Sequence, residues 1–174
     1  MDVRTPPEID PRLFRRVMSR FPTGVTVITA HDGDDVRGMT ANAFMSGSLE
    51  PPLCVVSVAK RARMHALLRE ATHLGVNILA EDQEKLSMHF SGTPVPDFVP
   101  RFDRMGPAPL LADACARMAT EVVAQHDCGD HTIFIGHILY LDANDRLPLV
   151  YHAGRYSTLV HRRGDHHVPV PEFW

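Results

Sequence analysis

Two long runs of strand-forming residues, 117–126 and 132–142, are separated by Asp127-Cys128-Gly129-Asp130-His131. β-branched residues crowd both runs, and a Gly-Asp pair between such runs supplies a tight turn, so the unit reads as an antiparallel hairpin. The arrangement recurs upstream, where 23–30 and 36–43 flank His31-Asp32-Gly33-Asp34-Asp35, and downstream, where 147–151 and 156–160 flank His152-Ala153-Gly154-Arg155. Parallel strands need crossovers of a dozen or more residues, and turns this short do not provide them.

Helical periodicity is confined to short stretches. Asp10-Pro11 is a favourable helix start, with Asp as cap and Pro at the first helical position. Leu13, Phe14, Val17 and Met18 then share one face, and the helix ends before Phe21-Pro22. Met64, Leu67, Leu68 and Ala71 recur at i, i+3, i+4 and i+7, which predicts an amphipathic helix over 63–70. Asp82 is expected to cap a third helix, in which Leu86 and Phe90 share a face before Gly92 closes it. A strand over 53–59 is nearly all apolar and is expected to be buried on both faces; another spans 72–79. Residues 93–109, with Pro94, Pro96, Pro100, Pro107 and Pro109, read as an irregular loop long enough for a functional or interface role. About seven strands in hairpins and about three short helices favour a mainly β (α+β) antiparallel barrel with peripheral helices. There is no G-x-G-x-x-G and no phosphate-loop lysine motif, so the usual dinucleotide signature is absent.

A chain of 174 residues suits a single domain over 1–174, with a core over 11–160 and a charged, His-rich tail over 161–174. The net charge of -3 gives no general attraction to nucleic acid. No apolar run approaches the roughly 18 residues of a membrane span, and residues 1–11 lack the apolar centre of a signal peptide. A cytoplasmic protein is the simplest expectation. Cys54, Cys115 and Cys128 are an odd set without C-x-x-C spacing, which argues against a disulfide framework or structural zinc. Cys54 and Cys115 are expected to be small core residues. His166 and His167 in the tail are adjacent, would face opposite ways on a strand, and carry no metal expectation.

Chemistry concentrates in residues 38–60. Thr40, Asn42, Ser46 and Ser48 crowd together before Pro51-Pro52, and an apolar strand then runs to Lys60. Small residues let a backbone approach a flat polar ring, and hydroxyls and amides supply donors. Lys60 beside Ala62, Met64 and His65, at the start of a helix, is a place for a phosphate. Gly129-Asp130-His131 presents a histidine from a rigid hairpin, and Tyr151-His152-Ala153-Gly154-Arg155-Tyr156 gathers aromatic, histidine and arginine side chains. Each segment also reads alone as ordinary turn and strand-end chemistry.

Together with Phe21-Pro22-Thr23-Gly24-Val25-Thr26-Val27-Ile28-Thr29, and in this order along residues 11–160, these segments resemble the short-chain flavin reductases, the reductase halves of two-component flavin monooxygenases. The resemblance implies an FMN-binding split β-barrel with peripheral short helices, and a homodimer with flavin near the subunit interface. It implies hydride transfer from NADH or NADPH to FMN or FAD, and reduced flavin that diffuses to a partner flavin-dependent monooxygenase. It places Met39, Thr40, Ala41, Asn42, Ser46, Gly47, Ser48, Ser57, Lys60, Ala62, Met64, His65, Phe90, Asp130, His152, Arg155 and Tyr156 at the cofactor. His131 becomes the catalytic candidate, orienting nicotinamide or flavin ring. Met45 stands where relatives usually carry Thr or Ser, Gly47 where they often carry Val, and Met64 replaces a common hydroxyl residue, which leaves FMN against FAD open. A flavin carrier, a redox sensor or a related split-barrel oxidase are the alternatives; the Gly-Asp-His turn favours the reductase. The stripe Ile133, Ile135, Leu139 and Leu141, with Val122 and Val123, is the expected dimer surface.

Overall fold

The computed structural model describes residues 8–93, 95–103 and 105–160, so the histidines of the tail lie outside the described residues. In chain order the elements are α1 (Pro11–Met18), β1 (Thr23–Gly24), β2 (Thr26–Asp32), β3 (Asp35–Ala41), β4 (Phe44–Ser48) and β5 (Leu53–Ala59). Next come α2 (His65–Glu70), β6 (His73–Ile78), α3 (Glu84–Phe90), β7 (Phe102–Asp103) and β8 (Leu110–Leu111). Last are β9 (Ala116–Cys128), β10 (His131–Ala143), β11 (Val150–His152) and β12 (Arg155–Ser157).

Seven strands form one antiparallel sheet in the order β3-β2-β6-β9-β10-β5-β4. The sheet coils on itself. Ile28 and Ala30 of β2, Val76 of β6, Phe134 of β10 and Val56 and Val58 of β5 share one buried cluster, and Met39 of β3 and Phe44 of β4, from the two edge strands, pack on it. Those edges are joined through Asn42-Ala43 rather than by a ladder, which gives the barrel its split. α2 plugs the interior with Leu68, fully buried, and with Met64 just ahead of it. β1, β11 and β12 form a small second sheet beside it.

Asp10 caps α1 as expected, accepting from the backbone N–H groups of Arg12 and Leu13. The apolar face of α1 is not buried: Phe14 is 54% exposed and Val17 58%. The strand at 53–59 is not covered on both sides either. Cys54, Val56 and Val58 point into the core, while Leu53, Val55, Ser57 and Ala59 are half-buried on the outer wall. In a coiled sheet the core fills only the concave side, and among the described residues nothing is layered on the convex face of β5. α3 begins at Glu84 and its cap is Gln83, not Asp82. The Gln83 side chain accepts from the Ala80 N–H, and Asp82 is drawn into an ion pair with Arg146.

The proline-rich segment is not wholly irregular, since β7 pairs with β8. Its anchor is Asn77, fully buried. The Asn77 amide donates to Val27 O (2.9 Å) and Thr29 Oγ1 (3.2 Å), and its carbonyl accepts from Leu111 N–H (2.7 Å). Arg117 adds a second anchor, pairing with Asp103 of β7 and Asp142 of β10. The long hairpin extends further than expected: β9 reaches Cys128 and β10 starts at His131, leaving only Gly129 and Asp130 in the turn. Gly129 has φ +59°, at the turn position that favours glycine. Cys54 and Cys115 are buried, as expected, and burial pushes the Cys54 thiol up to about 11.

Candidate functional site

A cleft of about 780 Å³ opens where three elements meet. One wall is β3, from Val36 to Thr40; the floor is formed by Ala59 and residues 61–64; the opposite wall is the end of α3, His89 to Gly92. Local chemistry places each part. β5 ends at Ala59, whose carbonyl accepts from Ala62 N–H, and Ala62 O accepts from His65 N–H, so the chain tightens directly into α2. Thr40 Oγ1 donates to Ser87 O at 2.6 Å and ties β3 to α3. Gly38 faces the Phe90 ring so closely that a Cβ there would lie 2.7 Å from two ring carbons. Glycine at 38 is what lets the aromatic ring lie against the strand.

A smaller pocket of about 290 Å³ shares Thr40 and Ser91 with the cleft and continues to Ala41, Asn42, Tyr151 and Tyr156. Tyr156 OH lies 2.8 Å from Ser87 Oγ, and its ring meets Tyr151 edge-on at 5.6 Å. Met39, Thr40, Ala62, Met64 and Phe90 therefore line the cleft, and Ala41, Asn42 and Tyr156 line its extension.

The other expected residues lie elsewhere. Ser46, Gly47 and Ser48 are exposed on edge strand β4, where the register slips at Gly47. Ser57 stands on the outer wall opposite Ile133. His65 Nε2 lies 2.9 Å from Thr132 Oγ1, with its ring edge-on to Phe134. His152 and Arg155 flank the β11–β12 turn. His131 Nδ1 lies 2.7 Å from Asp130 Oδ1 at the hairpin tip, and in register His131 stands opposite Ala59, a residue of the cleft floor. The hydrogen bond from His131 holds the Asp130 carboxyl below its ordinary value.

Lys60 turns toward that hairpin. Its N–H donates to Asp130 O, and its Nζ pairs with Asp127 at 3.3 Å. The Lys60 contact holds the Asp127 carboxyl below its usual range. The cations lining the cleft are Arg37, Arg61 and Arg63, with no carboxylate among the lining residues. Arg37 is held by Asp32 and Asp35. Arg61 and Arg63 have no ion pair among the described residues. Sequence reasoning missed both, although they alternate around Ala62 in the run Lys60-Arg61-Ala62-Arg63. It also missed His89, for which the sequence offers no signal beyond its place before Phe90. No group of three His, Cys, Asp or Glu among the described residues forms a metal site.

The cleft fits a flavin. Met39, Ala62, Met64 and Phe90 offer apolar surface for a flat ring, and two guanidiniums without an ion pair among the described residues suit a phosphate-bearing tail. Residues 18–160 match the flavin reductase like domain family. A NADH-dependent flavin reductase of a Rhodococcus species is 45% identical over 88% of this chain and 89% of its own. The reductase component of a 4-hydroxyphenylacetate 3-monooxygenase from Thermus thermophilus is 37% identical over 84% of this chain and 95% of its own. The structure of the flavin reductase PheA2 superposes with a TM-score of 0.85, at 41% identity, over 88% of this chain and 100% of that one. The chain belongs to the flavin reductase-like family, in its split-barrel architecture.

Proposed function

We propose that this chain is an NAD(P)H-dependent flavin reductase that supplies reduced flavin to a partner monooxygenase by diffusion. The observation that carries the reading is the cleft: an aromatic and thioether wall, a floor bearing Arg61 and Arg63, and the Gly-Asp-His hairpin tip in register with that floor. A bound flavin supplies the ring that accepts hydride from the nicotinamide. The protein's own part is placement. Phe90, Met39 and Met64 would cover the ring and exclude water, Arg61 and Arg63 would hold the phosphate, and Thr40 and Tyr156 fix the walls through Ser87. His131, steadied by Asp130, would orient the nicotinamide, whose alignment is the main demand of such a transfer. Ser46, Ser48 and Lys60 have no part in this reading.

The convex wall supports a homodimer. Met45 is 60% exposed and Leu141 64%, beside Val123 and Leu139 and the half-buried Ile133 and Ile135, on a sheet whose β4 edge has no partner strand among the described residues. A twofold mate would cover both the wall and the edge. Light scattering across a dilution series tests this, with a mass near twice 19.4 kDa expected; a micromolar monomer that still binds flavin tightly would contradict it. The activity is tested by steady-state oxidation of NADH and NADPH with FMN, FAD and riboflavin in turn. Turnover that depends on added flavin is expected, and none with any flavin would overturn the proposal.

A further inference from the structure

His89 sits in the last turn of α3 and in the wall of the cleft, and its two ring nitrogens have different surroundings. Nδ1 is buried and has no hydrogen-bond partner, a condition shared among the described residues only by Thr23 Oγ1. The ring is held edge-on to Phe90, with centroids 5.1 Å apart, and tilted against Phe98 at 5.5 Å. Aromatic neighbours offer no lone pair to an Nδ1–H. An orphaned buried donor is rarer and costlier than an orphaned acceptor, so the proton of the neutral ring belongs on Nε2. Nε2 is not among the buried unpaired atoms and is bonded to no described residue.

His89 makes no hydrogen bond to a described residue, so the fold alone does not account for its polar ring, and a bound ligand would give Nε2–H an acceptor. We propose that His89 donates Nε2–H to an uncharged acceptor, a carbonyl oxygen or ring nitrogen, on the heteroaromatic ring of bound flavin. The proposal rests on the reading that flavin occupies this cleft. The ring is favoured over the phosphate for two reasons. Arg61 and Arg63 on the floor are the stronger anion partners. His89 shares its wall with Phe90, whose ring lies against β3 at Gly38 and offers apolar surface for a flat ring.

The test uses wild-type protein and two variants. Nitrogen-15 NMR of the ligand-free protein is expected to show His89 as the Nε2–H tautomer, with that resonance shifting when riboflavin is added. His89→Phe keeps the packing with Phe90 and Phe98 and removes the orphan nitrogen, so its Tm should equal or exceed that of wild type. Its affinity for riboflavin and for FMN, read by fluorescence titration, should fall by the same factor, about three- to tenfold for one neutral hydrogen bond. His89→Gln, which restores an N–H donor, should recover part of that loss. An Nδ1–H tautomer, an unmoved resonance, unchanged flavin affinity in His89→Phe, or a loss confined to FMN or to NADH would overturn the assignment. Unchanged affinity in His89→Phe with tight wild-type binding removes His89 alone; failure of wild type to bind either flavin removes the cleft reading and this proposal with it.

Discussion

Replacing Arg61 and Arg63 together by alanine tests where the anionic tail of the flavin is held. Both side chains are solvent-exposed and lack ion pairs among the described residues. Their loss breaks no ion pair or side-chain hydrogen bond among the described residues, so stability should stay within about 0.5 kcal/mol of wild type. Binding is another matter. A charge-assisted hydrogen bond contributes about 1.5–3 kcal/mol, and screening at an exposed site lowers each arginine to about 1–1.5 kcal/mol. The pair then accounts for about 2–3 kcal/mol, a loss of roughly 30- to 150-fold in FMN affinity. Riboflavin, which has no phosphate, should change by no more than about threefold by the same arithmetic. Lys60→Ala is the control. It removes an exposed pair with Asp127 at 3.3 Å, and pairs of that kind contribute little, so FMN affinity should barely move. Fluorescence titration of FMN and riboflavin at low and high salt reads all of these, and the FMN loss should shrink as salt rises. A large loss in Lys60→Ala with none in the double variant would refute the placement and return the phosphate to Lys60.

Gly38→Ala puts a Cβ 2.7 Å from two carbons of the Phe90 ring. The ring must leave its place on β3, and overpacking of this kind costs about 1–3 kcal/mol, to be read as a lower urea midpoint together with weaker flavin binding. Asn77→Ala leaves the Leu111 N–H without its acceptor at a fully buried position. A loss of about 2–4 kcal/mol is expected in chemical denaturation, with the β7–β8 segment the first to lose amide protection. Arg117 holds the Asp142 carboxyl below its ordinary value. A depressed folded value stabilises the protein fully above about pH 4 and ceases to do so as pH falls through that folded value. The Tm gap between wild type and Asp142→Asn should therefore be full near neutrality and close on the acid side; a gap that widens with acid would contradict the pairing.

The strand plan was legible because hairpin turns are local: Gly129-Asp130 and Gly33-Asp34 each sit between β-branched runs and need nothing from the rest of the chain. The burial of β5 was not, because an apolar strand looks the same whether covered on two faces or standing in a wall with one face half-buried. The exposed face of α1 escaped for the same reason: periodicity shows that a helix has an apolar side, not what lies against it. Of the expected site residues, Met39, Thr40, Ala62, Met64 and Phe90 line the cleft and Tyr156 its extension, and all lie in segments where small and aromatic residues cluster. The orientation of Lys60 was not legible, because the direction of each side chain at a strand-to-helix junction depends on a distant element. Asp127, on the β9 side of the hairpin, captures Lys60 and leaves Arg61 and Arg63 on the cleft. His89 had no sequence signal, since its significance is the missing partner of one nitrogen, which only packing against Phe90 and Phe98 reveals.

The central claim is that this cleft presents flavin to a reduced nicotinamide. Anaerobic mixing of the protein and FMN with NADH or NADPH, followed by the loss of oxidised-flavin absorbance, tests it most directly. Reduction should be far faster than without protein and should slow in His131→Ala, while that variant's FMN affinity stays within a few-fold of wild type. Flavin that binds but keeps its oxidised spectrum with both nicotinamides would contradict the account and leave the chain a flavin-binding protein without reductase activity.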